Sequence, residues 1–159
     1  MKKILVAIDG SECASRAVEY CGKQFSGIKD LSVTLLHVLP NLPPRLWDDG
    51  HLLSREEKEA RKEVVRKWLE NQKLATEPMF HNASKSLTKG GIDQKRIKTR
   101  IIYDSTDTAA SILEEARDGG YLTLVLGRCG FSRLGERLLG STTIKIIQQG
   151  AGLAICVVE

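Results

Sequence analysis

The stretch from Leu122 to Thr143 commits this chain to a strand, a loop and a helix in that order. Leu122 to Leu126 is a short apolar run and reads as a buried strand. Gly127 ends it, Gly130 and Gly140 follow, and Ser141-Thr142-Thr143 opens a segment with apolar residues at Ile144 and Ile147. A helix N-terminus carries unpaired N–H groups and a partial positive charge, which suits a phosphate. Glycines let the backbone come close to such a group and adopt positive φ. The hydroxyls of Ser141 and Thr142 can cap the helix or donate to a phosphate oxygen. A flexible glycine loop with a serine cap and no ligand is the competing reading.

The rest of the chain alternates strand and helix. Lys3 to Ile8 is strand one, and Asp9-Gly10-Ser11 turns into a helix with Ala14, Ala17, Val18, Cys21 and Phe25 at helical spacing. Leu31 to Leu39 is strand two. Pro40 to Gly50, with three prolines and Trp47, is a loop. Ser54-Arg-Glu-Glu57 is a capping box that starts helix two, with Ala60, Val64, Val65, Trp68 and Leu69 as its buried stripe. Pro78 breaks that pattern, and Phe80, Ala83 and Leu87 form a further short helix up to Gly90-Gly91. Ile97 to Tyr103 is strand three. Asp104 to Asp107 is a polar turn whose last residues cap helix three, striped by Ala109, Ile112, Leu113 and Ala116. Helix four runs from about Ser141 to Gln149, and Leu153 to Val158 is strand five.

This β-α alternation argues an α/β doubly wound parallel sheet. Ligands of such sheets bind beyond the carboxyl ends of the strands, where the strand order switches. Asp9, Val38 and Gly127 all stand at that edge. Asp9 there can cap helix one or face the glycine loop across the switch point.

A chain of 159 residues predicts one domain over 1–159 with a sizeable core. The net charge of +4 comes from basic residues interleaved with acidic ones, which is no nucleic-acid signature. No apolar run reaches the ~18 residues of a membrane span. The opening apolar run is cut by Asp9, too soon for a signal peptide, so a cytoplasmic location is expected. Cys13, Cys21 and Cys156 fall in apolar patterns and read as core thiols. Cys129 sits in the glycine loop beside Arg128 and is either an inert loop thiol or a sensor whose pKa the cation lowers. His37, His51 and His81 lack metal-ligand spacing, and no metal site is expected.

The spacing Gly, two residues, Gly, nine residues, Gly-Ser resembles the nucleotide loop of the universal stress protein family in its ATP-binding branch. The likeness extends over nearly the whole chain: Lys2 to Ser11 resembles the family's opening strand and Asp-Gly-Ser turn, Leu36-His37-Val38 its second strand end, and Asp107 with Ile112 to Ala116 its third helix. The resemblance implies strand order 3-2-1-4-5, an adenine nucleotide, ATP foremost, with or without Mg, and a homodimer through the C-terminal strand. It places Ala7 and Asp9 near adenine and ribose and Val38 at adenine. It places Leu126, Gly127, Arg128, Gly130, Gly140, Ser141, Thr142 and Thr143 on the phosphate side. Arg128 can equally be a solvated loop charge. Two positions depart from the family pattern: Leu122 stands where an acidic residue is common, and the last strand lacks a preceding Cys-Pro.

The leading expectation is therefore an ATP-binding stress-response protein with slow or partner-dependent hydrolysis at most, because no general base or nucleophile is identifiable. Its protein partner is unknown, and neither nucleic acid nor membrane is expected to bind. The alternative is a nucleotide-independent dimeric regulatory module. A thiol sensor at Cys129 is a third.

Overall fold

The apolar runs of the sequence become five parallel strands, as near-continuous hydrophobicity requires when both faces of a sheet are covered. The computed structural model describes residues 2–42, 53–129 and 139–159. In chain order the elements are β1 (Lys2–Ala7), α1 (Glu12–Phe25), β2 (Leu31–Pro40), α2 (Arg55–Lys89), β3 (Ile97–Ser105), α3 (Thr108–Asp118), β4 (Thr123–Gly127), α4 (Ser141–Gln149) and β5 (Ala154–Val158). The strands lie in the order β3-β2-β1-β4-β5. This is the expected doubly wound sheet of order 3-2-1-4-5, with β1 at its centre: Val6 stands between Leu35 of β2 and Val125 of β4.

Successive strand residues feed opposite faces. Ile4 and Val6 join a core with Ala17 and Val18 of α1 and Phe80 and Leu87 of α2. Leu5, with Leu124 and Leu126, joins a second core with Ile112 and Leu113 of α3 and Ile146 of α4. Leu5 and Val6 are both fully buried, and each such side chain contributes about 1.5–3 kcal/mol. Helices thus cover both faces. On the first face α1 meets the end of α2 backbone to backbone: a Cβ on Gly90 would lie 2.6 Å from the carbonyl carbon of Gly22.

Three helices start on side-chain caps. Ser11 accepts from the Ala14 amide, Asp107 accepts from Ala109 and Ala110, and Ser54 and Glu57 form the expected capping box with both bonds in place.

Helix α2 departs from the sequence reading twice. Pro78 does not break it; one helix of 35 residues runs through the proline. Proline removes one amide donor and crowds the carbonyl four residues back. Buried Thr76, Phe80 and Leu87 anchor the helix on either side of it, and packing decides helical continuity more than local propensity does. The expected buried stripe is the second difference. Ala60 is exposed, Val64 is 50% exposed, and Val65, Trp68 and Leu69 are only half-buried. At the start of β4, Leu122 is 73% exposed and lies outside the strand, which begins at Thr123. From position 43 the proline loop lies outside the described residues. Among the described residues no helix is long and apolar enough to cross a membrane.

Candidate functional site

The chain leaves β1 into α1 on one face of the sheet and leaves β4 toward α4 on the other, although β1 and β4 are neighbours. That divergence opens a crevice at the carboxyl ends of the two strands. A cavity of about 250 Å³ lies there. Its wall contains Ala7, Asp9, Val38, Leu126, Gly127, Gly140, Ser141, Thr142 and Thr143, all singled out from the sequence. Their order along the chain is scattered, and the switch point brings them together.

Two singled-out positions stand apart. Gly130 lies outside the described residues. The side chain of Arg128 is not part of the wall; its Nε pairs with the Glu159 carboxylate at 3.3 Å. The backbone of Arg128 still shapes the site, because its N–H donates to the Val158 carbonyl at 2.8 Å and its carbonyl accepts from the Gly140 amide at 3.0 Å. That second bond ties the two ends of the glycine loop together.

The wall divides by chemistry. Ala7, Leu36, Val38 and Ile112 give one part an apolar lining. Asp9 stands at the rim, where its Oδ1 accepts from the Ser11 amide at 2.9 Å. Ser11, not Asp9, caps α1. His37, which the sequence marks only as lacking metal-ligand spacing, lines the cavity too. Its Nδ1 donates to the Ile8 carbonyl at 2.8 Å, which fixes the ring over the end of β1. Thr108, at the start of α3, is a further wall residue that sequence spacing did not mark.

The other part of the wall is the N-terminus of α4. Unlike the other three α-helices, α4 has no side-chain cap: its N-cap is Gly140, and Ser141 is its first helical residue. Of the two roles open to the Ser141 and Thr142 hydroxyls, capping is not the one taken, so the first amides of α4 stand at the cavity wall without a side-chain acceptor. Thr143 donates from Oγ1 to the Gly127 carbonyl at 3.2 Å. Asp107 and Lys145 pair at 3.0 Å and tie α3 to α4. The Lys145 hydrogen bond, with the Ala110 amide, holds the Asp107 carboxyl below the usual carboxylate range.

Gly127 has a structural duty besides its place in the wall. A Cβ there would lie 2.5 Å from the carbonyl carbon of Cys13. Strand β4 therefore ends in backbone contact with the start of α1. Two residues later Cys129, also on the wall, forms a disulfide with Cys13, their Cα atoms 5.8 Å apart. This corrects the reading of Cys13 as a core thiol, and of the two readings of Cys129 it removes the inert loop thiol. Their sequence separation of 116 hid the pairing.

Comparison with known proteins gives the site its context. The model of the universal stress protein family matches residues 1–151. A universal stress protein of Bacillus subtilis, YxiE, is 28% identical over 153 residues, covering 92% of this chain and 91% of its own length. Among solved structures, the hypothetical protein MJ0577 superposes with a TM-score of 0.71 at 27% identity, covering 99% of this chain and 94% of that one. A universal stress protein of Archaeoglobus fulgidus in complex with dAMP shares the fold at TM-score 0.58 and 18% identity, covering 100% of this chain and 98% of that one. A family member from Arabidopsis thaliana with AMP bound does so at TM-score 0.62 and 18% identity, covering 99% and 91%.

Proposed function

The chain belongs to the universal stress protein family, and from that premise we propose that the cavity at the carboxyl edge of its sheet binds an adenine nucleotide, ATP foremost. The observation that carries this reading is the uncapped N-terminus of α4 on the cavity wall. Oriented amides and the helix dipole favour an anion there. The relatives solved with dAMP and AMP support an adenine nucleotide as that anion's carrier.

In this reading the apolar part of the wall takes the base, with Ala7 and Val38 at adenine and the Asp9 carboxylate accepting from the ribose hydroxyls. Gly127, Gly140, Ser141, Thr142 and Thr143 take the phosphates. Leu126 forms the floor between the two ends. Mg²⁺ would accompany the nucleotide on its phosphates.

Nucleotide occupancy, more than turnover, is the proposed basis of a stress-response role. Asp9 and His37 are the acid–base side chains among the described wall residues, and Cys129 on the same wall is held in its disulfide. Asp9 is assigned to the ribose, and His37 donates from Nδ1 to Ile8, which leaves its Nε2 as an acceptor; we propose hydrolysis that is slow or partner-dependent at most. We also propose a homodimer through β5, since that strand lies at the sheet edge and an open edge invites pairing.

Calorimetric titration with ATP and adenosine tests the site. Asp9→Ala weakens both ligands alike, whereas Ser141→Ala weakens ATP more than adenosine. A hydrogen bond to a charged group is worth about 1.5–3 kcal/mol, so each loss is roughly tenfold or greater. Unchanged ATP affinity in both variants removes the cavity from nucleotide binding and favours a nucleotide-independent regulatory module.

A further inference from the structure

We propose that Cys13 and Cys129 form a reversible dithiol–disulfide pair that sets the affinity of the neighbouring cavity for nucleotide, an inference that rests on the nucleotide reading of that cavity. The two residues come from α1 and from the segment after β4, and their Cα separation of 5.8 Å lies within the range a disulfide spans. Their environments divide the labour of thiol–disulfide exchange. Cys129 lines the cavity and is partly exposed, so an incoming reagent can reach it. Cys13 is buried, at 4% exposure, and is the second residue of α1. The Arg16 Nη2 donates to the Cys13 sulfur at 3.1 Å. A helix N-terminus and a guanidinium both favour thiolate over thiol.

The other two cysteines lack this setting. Burial pushes the Cys21 thiol up to about 12, with Cys156 nearby adding to the effect, so Cys21 stays protonated and inert. Cys156, on β5, is a free, partly buried thiol packed against the same core.

The oxidant is a low-molecular-weight disulfide, RSSR. The Cys129 thiolate attacks one sulfur of RSSR, the RS–SR bond breaks, and a mixed disulfide forms with release of RS⁻. The Cys13 thiolate then attacks the Cys129 sulfur, the mixed disulfide breaks, and a second RS⁻ leaves. The two protons lost by the cysteines end on the two RS⁻ groups. The protein is oxidised by two electrons and RSSR is reduced to two RSH. Excess thiol reverses both steps.

The bond acts on the site through Gly127, Arg128 and Cys129. Gly127 touches the Cys13 backbone, and the Arg128 carbonyl holds the Gly140 amide at the N-cap of α4. Oxidation therefore pins this wall to α1 and preorganises the anion end of the cavity; reduction releases it. Preorganisation raises affinity by lowering the ordering cost of binding. By reciprocity, bound nucleotide makes the disulfide harder to reduce by the same factor.

The test uses the full chain, glutathione disulfide as oxidant, dithiothreitol as reductant and ATP as the titrated probe. Non-reducing proteolysis and mass spectrometry of the oxidised protein yield a Cys13–Cys129 linked peptide. Oxidised protein binds ATP roughly fivefold or more tightly than reduced protein, the lower end of typical coupling between sites. Cys13→Ser, a near-isosteric change away from the cavity wall, binds ATP with the affinity of the reduced protein in both conditions. Absence of the linked peptide overturns the inference. So does a linked protein whose ATP affinity matches the reduced form, and that outcome leaves the nucleotide site standing. A protein that forms the link but binds no ATP in either state overturns this inference and the proposed function together.

Discussion

Gly127 and Cys13 meet with no room for a side chain between them: a Cβ on Gly127 would lie 2.5 Å from the Cys13 carbonyl carbon and 2.7 Å from its oxygen. The end of β4 and the start of α1 are thereby one structural unit.

Gly127→Ala must therefore move backbone, since every atom met is main chain. Overpacking of this kind costs about 1–3 kcal/mol. Urea unfolding should show that loss as a lower midpoint, with nucleotide affinity reduced as well because Leu126 and Thr143 shift with the strand end. An unchanged midpoint means the two segments are not in contact.

Gly140→Asp separates stability from binding. Gly140 has φ −60° and ψ 147°, a conformation open to any residue, and it caps α4 without a side chain. Aspartate there supplies the missing cap and complements the helix dipole, a gain of a few tenths to about 1 kcal/mol. Its charge competes with phosphate for the same amides, so ATP affinity falls roughly tenfold or more, the equivalent of about 1.4 kcal/mol. Thermal melts and calorimetry check the two signs. A variant that is more stable and binds ATP as well as wild type would show that the phosphates lie elsewhere.

The Asp107–Lys145 pair gives a pH dependence. The Asp107 carboxyl is lowered from its ordinary 3.8, chiefly by the Lys145 hydrogen bond. A group whose folded pKa is depressed contributes stability fully above its unfolded pKa, and that contribution is lost as pH falls through the folded value. Asp107→Ala should lower the unfolding midpoint at pH 7, and the gap to wild type should narrow as pH drops below 3.8. A gap that stays constant down to pH 2 rules out the ionic contribution.

The edge strand predicts association. Ala154 donates inward to the Leu122 carbonyl at 2.8 Å, and the Val158 carbonyl accepts inward from Arg128. By alternation, the amides of Ile155 and Val157 point away from β4. Val157→Pro removes one outward donor while leaving the β4–β5 ladder intact. Sedimentation should find a wild-type dimer and a monomeric variant. Wild-type protein that sediments as a monomer at micromolar concentration refutes the dimer.

The sequence made the sheet and the cavity legible for one reason: both depend on short-range pattern plus a topological rule. Apolar runs marked the strands, Ser54 and Asp107 marked helix starts, and the carboxyl-edge rule put Asp9, Val38 and Gly127 together before any contact was known. What stayed hidden depends on partners in space. Spacing shows that Ala60 and Val64 share a helix face with Trp68, but not whether anything covers that face, and Val64 is left half exposed. A proline signals a local cost, yet Pro78 sits in a helix anchored by Phe80 and Leu87. The Cys13–Cys129 pairing and the Gly127 contact join segments more than a hundred residues apart. The phosphate-loop spacing that singles out Gly127 gives no sequence sign that the position also admits a neighbouring helix.

The central claim, that this cavity holds an adenine nucleotide with its phosphates on α4, is tested most directly by following backbone amide resonances during titration with ATP. The account predicts saturable shifts that are largest at Ser141, Thr142 and Thr143, with a second group at Ala7, Asp9 and Val38. Shifts that fail to saturate, or that centre on the groove between α1 and α2 around Glu19 and Asn82, would contradict it.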